Sequence, residues 1–346
     1  MTRMNRTLAV IGMASLVAAV VVLTAAAVGR GDRTEEDTPS DLSEAMVVPA
    51  SVEDEPPHPM AVDVLRNRPY PGGEFVLEEE LSDGSGYSRS VVSYRSEGLK
   101  IRGLLTVPRD PAPDGGFPAV VFVHGYIPPA EYSTVRNYAT YQDRLARAGY
   151  VTFKPDLRGH GLSEGTPVSA HYSEKYVVDT MFAIAYLKNH EDVDPNRIGY
   201  WGHSNGGEIG LRVAVISPDI KAASLWAGVV GSYEDMFETY NDQIRFLRNA
   251  GNSSLVRAHG LPSTNPEFWR TVDPYFHLDD IRAPIQILHG TADYSVPVVL
   301  SRRLREELER ADRRVDYFEY VGDDHNISAN VDDAFRRTVE FYRSYL

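Results

Sequence analysis

The most informative segment of the chain is Gly202-His203-Ser204-Asn205-Gly206-Gly207. It directly follows a predicted strand at residues 197–201 and opens a predicted helix. A Gly-x-Ser-x-Gly turn between a strand and a helix holds its serine in strained backbone dihedrals, and small neighbours are needed because bulky ones would collide. The helix N-terminus behind the turn favours developing negative charge. We therefore predict that Ser204 is a nucleophile.

A second copy of the same pattern, Gly161-Leu162-Ser163-Glu164-Gly165, tests how specific the pattern is. It lies in a predicted loop and is followed by Thr166 and Pro167 rather than by a helix. The strand–turn–helix context that exposes a nucleophile is missing there. We therefore predict a structural role for Ser163.

Strands and helices alternate on both sides of Ser204. Residues 119–123 form a continuous apolar run, as expected of a strand buried on both faces. A mainly parallel sheet with helices on both faces follows from the alternation, and its chemistry gathers at the carboxyl ends of the strands. Eight strands are predicted, the first two as an antiparallel hairpin, at residues 90–94, 100–107, 119–123, 150–154, 197–201, 222–227, 285–288 and 315–320. Helices are predicted at residues 134–148, 174–189, 205–215, 298–311 and 331–346.

A serine nucleophile needs a base, and the base needs an orienting carboxylate. Of the ten histidines, His325 alone directly follows the last predicted strand. Asp293 follows the preceding strand and gives the chain order Ser–Asp–His that this kind of sheet uses. Four nearby residues are predicted to shape turns and loops instead: His203, His289, Asp323 and Asp324.

An acyl-transfer site also needs two backbone N–H groups aimed at the oxyanion. The amide of Asn205, the residue after the nucleophile, is one candidate. The second should come from the loop after the strand at 119–123, where His124-Gly125-Tyr126 lies. We assign it to the amide of Tyr126.

Together these motifs resemble the α/β-hydrolase superfamily, and their order and spacing resemble the catalytic domain of the prolyl oligopeptidase family over about residues 85–346. The segments that carry the resemblance are His124-Gly125-Tyr126, Asp156-Leu157-Arg158-Gly159-His160-Gly161, the Ser204 turn, His289-Gly290-Thr291-Ala292-Asp293 and Gly322-Asp323-Asp324-His325. The resemblance implies an α/β-hydrolase fold with Ser204 as nucleophile, Asp293 as acid and His325 as base. It implies no metal or organic cofactor, and it gives Asp156 and Arg158 a structural role.

The stretch at about residues 229–280 interrupts the alternation of strands and helices. It is too long for a plain loop in a compact domain, which favours a lid or binding insertion placed before the acid-bearing strand. Partial helical periodicity and several aromatic residues predict a helical insertion, most of whose apolar side chains pack it onto the domain. A few of them should line a pocket.

The N-terminal 30 residues differ from the rest in composition. Residues 8–28 carry no charge and follow Arg3 and Arg6, so residues 1–30 are predicted to be a cleaved signal peptide or a membrane anchor, and the remainder to be exported. Membrane contact is expected only through this segment. Residues 31–70, rich in proline and acidic residues, are predicted to be a linker, and residues 71–346 the catalytic domain.

The amino-acid composition limits the kinds of partner and chemistry that the protein can have. With 35 basic and 49 acidic residues the net charge is −14, which argues against a nucleic-acid partner. The chain has no cysteine, so disulfides and thiolate chemistry are excluded. The family resemblance implies that the substrates are small peptides or acyl esters.

Three functions stay open at this point. A prolyl-oligopeptidase-like serine peptidase is favoured by the family resemblance. Full-length relatives carry a β-propeller ahead of the catalytic domain, for which residues 30–84 are too short, and this favours the alternative of a carboxylesterase similar to dienelactone hydrolases or acyl esterases. A non-catalytic binding protein on the same fold is the third, although such proteins typically lose a member of the triad, and here all three positions are filled.

Overall fold

The computed structural model describes residues 56–244 and 253–346. Within them, nine strands form one sheet in the order β1-β2-β3-β5-β4-β6-β7-β8-β9. Strands β1, β2 and β3 pair antiparallel with one another, and β3 pairs antiparallel with β5. All the remaining pairs, from β5 and β4 to β8 and β9, are parallel. The strands are β1 Val76–Gly84, β2 Tyr87–Ser96, β3 Leu99–Pro108, β4 Phe117–Val123, β5 Val151–Pro155, β6 Val193–His203, β7 Ile220–Trp226, β8 Ile285–Gly290 and β9 Val315–Tyr320.

Helices cover both faces of this sheet. The α-helices in the described ranges are α1 Val62–Asn67, α2 Ala139–Arg147, α3 Lys175–Lys188, α4 Asn205–Ile216, α5 Ser254–His259, α6 Pro266–Val272, α7 Val299–Arg310 and α8 Val331–Tyr345. A π-helix at Asp235–Thr239 and a 3-10 helix at Pro274–Asp280 complete the helical structure of the insertion.

Alternate residues of β4 pack into different apolar clusters. Ala119, Val121 and Val123 belong to the cluster that includes α3 and α4, whereas Val120 and Phe122 belong to the cluster that includes α8. All five are fully buried. The continuous apolar run therefore forms a strand covered on both faces, and the predicted α/β-hydrolase type of sheet is confirmed.

All eight predicted strands are present, and β1 is added to them. Its sequence contains Glu78, Glu79 and Glu80, and its side chains are largely exposed because it lies at one edge of the sheet. Charged side chains on an edge strand discourage pairing with another chain. They also remove the apolar alternation by which a strand is found in a sequence.

Helix α2 begins five residues later than predicted, at Ala139 instead of residue 134. The residue before it, Tyr138, has φ 59°, in the left-handed region, which a helix cannot include. The apolar spacing upstream of Tyr138 therefore belongs to a loop.

Helix α1 lies within the segment predicted to be a linker, residues 31–70. It buries Val62 and Leu65 in the main apolar cluster, so the folded domain includes residues before 71. The predicted signal peptide or anchor lies outside the described residues. In the ranges 56–244 and 253–346, none of the helices combines the length and the apolar character needed to cross a membrane.

The insertion after β7 has an apolar cluster of its own. Its buried members include Tyr233, Phe237 and Trp269, and Met60 joins them from the segment before α1. Most of the predicted aromatic and apolar residues of the insertion therefore pack it together, as expected.

Candidate active site

Ser204 lies at the sharp turn between β6 and α4. Its φ of 56° and ψ of −117° are strained for a residue with a side chain. The turn brings the backbone close to itself on either side of Ser204, and residues without a side chain are needed at these positions. A Cβ on Gly202 would lie 2.2 Å from the carbonyl oxygen of Gly206, and a Cβ on Gly206 would lie 2.2 Å from that of Val123. The strand–turn–helix geometry predicted for this segment is present.

His325 and Asp293 meet at the carboxyl ends of β9 and β8. The His325 Nδ1 atom lies 2.6 Å from Asp293 Oδ2, and the Asp293 side chain is fully buried. With Nδ1 bonded to the carboxylate, Nε2 is the ring nitrogen left to exchange a proton with a nucleophile. The structure thus brings together two of the three predicted side chains directly.

The third residue, Ser204, is linked to His325 through His203, the residue before Ser204 in the chain. The rings of His203 and His325 are 4.6 Å apart between centroids, and His203 Nε2 donates to the His325 carbonyl oxygen at 2.9 Å. The loop that carries His325 is therefore fastened to the turn that carries Ser204.

Asp293 receives a second imidazole. His289 Nε2 donates to Asp293 Oδ2 at 3.0 Å, and its Nδ1 pairs with the Ser301 hydroxyl at 2.7 Å. The other carboxylate oxygen, Oδ1, accepts from the amides of Ser295 and Val296. Burial alone raises the pKa of Asp293, but the hydrogen bonds from His289 and His325 outweigh it and hold the pKa below its ordinary value. The carboxylate therefore stays ionised. His289, predicted to shape a loop, lies instead in β8 and contacts the predicted acid directly.

The loop after β4 lies directly against the nucleophile turn. A Cβ on Gly125 would lie 3.1 Å from the Ser204 Cβ atom and 3.1 Å from His203 Nδ1. Tyr126, the predicted oxyanion donor, follows Gly125 directly and is 70% exposed. Asn205, the other predicted oxyanion donor, is the first residue of α4.

A hydrogen-bonded relay, Gly125–Tyr138–His203–His325, joins this loop to the loop of the base. The Gly125 N–H donates to the Tyr138 hydroxyl at 3.0 Å, and that hydroxyl donates to His203 Nδ1 at 2.7 Å. The tautomer follows from the network, because the His325 carbonyl oxygen that His203 Nε2 faces only accepts. Burial and then the nearby His325 lower the pKa of His203 to about 3, so His203 stays neutral.

Sequence reasoning did not find Tyr138 and left His203 as a loop residue. The adjacency of His203 to Ser204 is visible in the sequence, but a tyrosine 65 residues away in a left-handed conformation leaves no periodic signal. The structure adds both residues to the site.

The residues predicted to be structural have structural contacts. Ser163 Oγ accepts from the Arg102 amide at 2.9 Å. Asp323 and Asp324 accept hydrogen bonds from backbone amides within their own loop. Asp156 accepts from the hydroxyls of Tyr132 and Thr134, and Arg158 pairs with Asp179 and Glu97.

The sequence profile of the prolyl oligopeptidase family matches residues 137–346. The chain belongs to the prolyl oligopeptidase family. A relative in Bacillus subtilis (strain 168), described as the uncharacterized peptidase YtmA, is 30% identical over 231 residues, which cover 66% of this chain and 82% of the relative. This family membership and the peptidase and esterase relatives identify the chain as a serine hydrolase.

Solved structures of two kinds share the fold of this prolyl oligopeptidase family member. The puromycin-hydrolyzing peptidase of Mycobacterium tuberculosis superposes with a TM-score of 0.61 at 22% identity, covering 76% of this chain and 40% of that protein. The acetyl xylan esterase of Paenibacillus sp. R4 superposes with a TM-score of 0.63 at 20% identity, covering 82% of this chain and 92% of the esterase. At these identities the likeness concerns the fold alone.

Proposed function

We propose that this serine hydrolase cleaves its substrate through Ser204, His325 and Asp293. The observation that carries the proposal is the 2.6 Å hydrogen bond between His325 Nδ1 and the buried Asp293 carboxylate, on a loop fastened to the Ser204 turn. His325 Nε2 takes the hydroxyl proton as Ser204 Oγ attacks the carbonyl carbon. The ionised Asp293 stabilises the imidazolium that forms.

The negative charge that develops on the substrate oxygen is held by two backbone amides, those of Asn205 and Tyr126. The Gly125 contact that brings this loop against Ser204, and the position of Asn205 at the start of α4, support the assignment. His325 then protonates the leaving group. Water, deprotonated by the same imidazole, hydrolyses the acyl-enzyme and restores Ser204.

For the scissile bond, we propose the amide bond of a small peptide. The family match over residues 137–346 supports this, as does the Bacillus subtilis relative described as a peptidase, of which 82% is covered. Carboxylester cleavage is the second candidate. It is supported by the acetyl xylan esterase structure, which this chain matches over 92% of the esterase's length.

Labelling with a fluorophosphonate probe tests the triad. Wild-type protein should be labelled at Ser204, and Ser204→Ala should not be labelled at all. Ser163→Ala, the matched control in the other Gly-x-Ser-x-Gly segment, should be labelled at the wild-type rate. Absence of labelling of the wild type, or equal labelling of Ser204→Ala, would refute the proposed nucleophile.

The substrate class is tested by comparing two sets of chromogenic substrates on the same preparation. Peptidyl and aminoacyl p-nitroanilides contain an amide bond, and p-nitrophenyl acyl esters contain an ester bond. Turnover of anilides that disappears in Ser204→Ala is expected. Turnover of esters alone would overturn the peptidase assignment and leave the esterase.

A further inference from the structure

Residues 124–138, which join β4 to α2, contain one glycine, Gly125. Glycine has the least restricted backbone of all residues, so this is the position at which the loop is most easily deformed. A side chain cannot be added to stiffen it, because a Cβ there would lie 2.6 Å from the Tyr138 hydroxyl oxygen and 3.1 Å from the Ser204 Cβ atom. The rigidity of the loop at Gly125 must therefore come from its neighbours.

Two side chains hold Gly125, one on each of its backbone polar groups. The Gly125 N–H donates to the Tyr138 hydroxyl at 3.0 Å, as described above. At its other end, the Gly125 carbonyl oxygen lies 2.7 Å from His124 Nδ1. A carbonyl oxygen only accepts, so Nδ1 is the ring nitrogen that carries the hydrogen and donates it.

The second of these hydrogen bonds acts on the same peptide group as the Tyr126 N–H. A peptide group that does not precede proline is planar and almost always trans, so its carbonyl and its N–H point in opposite directions. Holding the Gly125 carbonyl therefore also sets the direction of the Tyr126 N–H. Oxyanion stabilisation depends on donors that are already in place when the charge develops.

The His124 ring is itself held in a single state. It is 2% exposed, and its centroid lies 4.6 Å from that of the Tyr132 ring and 5.4 Å from that of the His160 ring. Burial, and after it the nearby His160, lower the pKa of His124 to about 3. The imidazole is therefore neutral at pH 7, with its hydrogen on the nitrogen that faces the Gly125 carbonyl.

We propose that His124 is a positioning residue for the oxyanion hole, whose Nδ1–H holds the Gly125 carbonyl and thereby directs the Tyr126 N–H at the oxyanion. The inference rests on the proposed function, in which the Tyr126 amide is one of the two oxyanion donors. His124 acts through the peptide group and does not touch the substrate.

Two substitutions of His124 separate the hydrogen bond from packing. Leucine is close to histidine in volume but has no donor, whereas asparagine is smaller and can place its amide nitrogen near the position of Nδ1. If the hydrogen bond matters, His124→Leu should lower kcat about 10- to 100-fold and leave KM within about twofold. His124→Asn should stay within about fivefold of the wild-type kcat. If His124 only fills space, the ranking is reversed, and His124→Leu is the more active variant.

Urea unfolding of the same variants shows whether activity merely follows stability. His124→Asn should be the less stable of the two, because it leaves a cavity and places an amide oxygen in a buried position. Tyr132→Phe is the matched control. It changes the ring beside His124, but the hydroxyl that it removes donates to Asp156 and not to the loop, so kcat should stay within about twofold of wild type. The positioning role is overturned if His124→Leu is at least as active as His124→Asn, or if Tyr132→Phe lowers kcat as much as His124→Leu.

Nitrogen NMR of histidine-labelled wild-type protein tests the same hydrogen bond even if His124→Leu does not fold. The resonances of His124 are identified by their loss in His124→Asn. At pH 7 they should show a neutral ring with Nδ1 protonated and Nε2 unprotonated. The opposite tautomer would leave the Gly125 carbonyl without its donor and overturn the proposal.

Fluorophosphonate labelling distinguishes failure of this inference from failure of the proposed function. Absence of labelling of the wild type contradicts the proposed nucleophile, whatever the tautomer of His124. Labelling of the wild type but not of Ser204→Ala, together with a kcat ranking of the His124 variants that follows volume, leaves the nucleophile in place and overturns only the role of His124.

Discussion

The substitution Tyr138→Phe removes one oxygen atom from the relay that joins the oxyanion loop to the base. The hydroxyl accepts from the Gly125 amide at 3.0 Å and donates to His203 Nδ1 at 2.7 Å. Phenylalanine keeps the ring and its packing, and both residues meet the same backbone requirement at φ 59°. The change therefore isolates the two hydrogen bonds.

The effect of losing these two hydrogen bonds on stability and on kcat can be estimated. A buried donor and a buried acceptor are left unpaired, at about 1–3 kcal/mol each, and partial exposure of Tyr138 admits water to one of them. We expect the free energy of unfolding to fall by about 2 kcal/mol. Because the Tyr126 amide follows Gly125 directly, kcat should fall about 10- to 100-fold, less than the ~100- to 1000-fold that follows loss of a whole oxyanion donor.

Steady-state hydrolysis of the best chromogenic substrate measures the effect, together with urea unfolding. The loss should fall on kcat and leave KM within about twofold, because the relay positions transition-state donors and not the substrate. Tyr141→Phe is the matched control. It lies on α2, and its hydroxyl makes one long hydrogen bond, 3.3 Å, to the Asn326 carbonyl oxygen.

A double-mutant cycle with His203→Ala gives the decisive result. Two members of one relay should show strongly non-additive losses in kcat. The reasoning is refuted if Tyr138→Phe keeps the wild-type kcat or if Tyr141→Phe lowers kcat by as much. It is also refuted if the losses in kcat caused by Tyr138→Phe and His203→Ala are fully additive.

Three further predictions concern the same domain. Gly206→Ala should abolish fluorophosphonate labelling, since the added Cβ would lie 2.2 Å from the Val123 carbonyl oxygen; labelling at the wild-type rate would contradict this. Asp293→Asn should lower kcat about 10⁴-fold with circular dichroism unchanged, because the amide cannot stabilise an imidazolium. Partial burial raises the pKa of Glu97, but hydrogen bonds from Arg158 and Arg68 outweigh it and lower the pKa to about 2. A depressed carboxyl pKa contributes stability above the unfolded value and loses it on acidification. Glu97→Gln should therefore reduce the free energy of unfolding by about 1 kcal/mol at pH 7, after allowance for solvent screening, with the difference shrinking between about pH 4.5 and pH 2 in urea titrations.

The sequence predicted most of the sheet because burial on both faces leaves an unmistakable apolar run, as at residues 119–123. The prediction failed for elements whose position does not depend on buried apolar residues. Strand β1 is acidic because it lies at an edge, and α2 is shortened because Tyr138 takes a left-handed conformation to reach His203.

At the candidate site, the predicted residues followed from chain order and strand ends. Ser204, Asp293 and His325 each lie just past a strand, where parallel topology gathers functional groups. The second imidazole on Asp293 and the tyrosine relay could not be predicted, because neither contact follows from spacing along the chain.

Met60 is buried within the apolar cluster of the insertion, although about 170 residues separate it from Val229, the first member of that cluster after β7. Closing so long a loop is entropically unfavourable, and the loop has to close before Met60 can make its stabilising contacts. The insertion should therefore consolidate late during folding, after the central strands have paired. We expect hydrogen exchange to be faster in the insertion than in β4 and β6, which lie in the middle of the sheet.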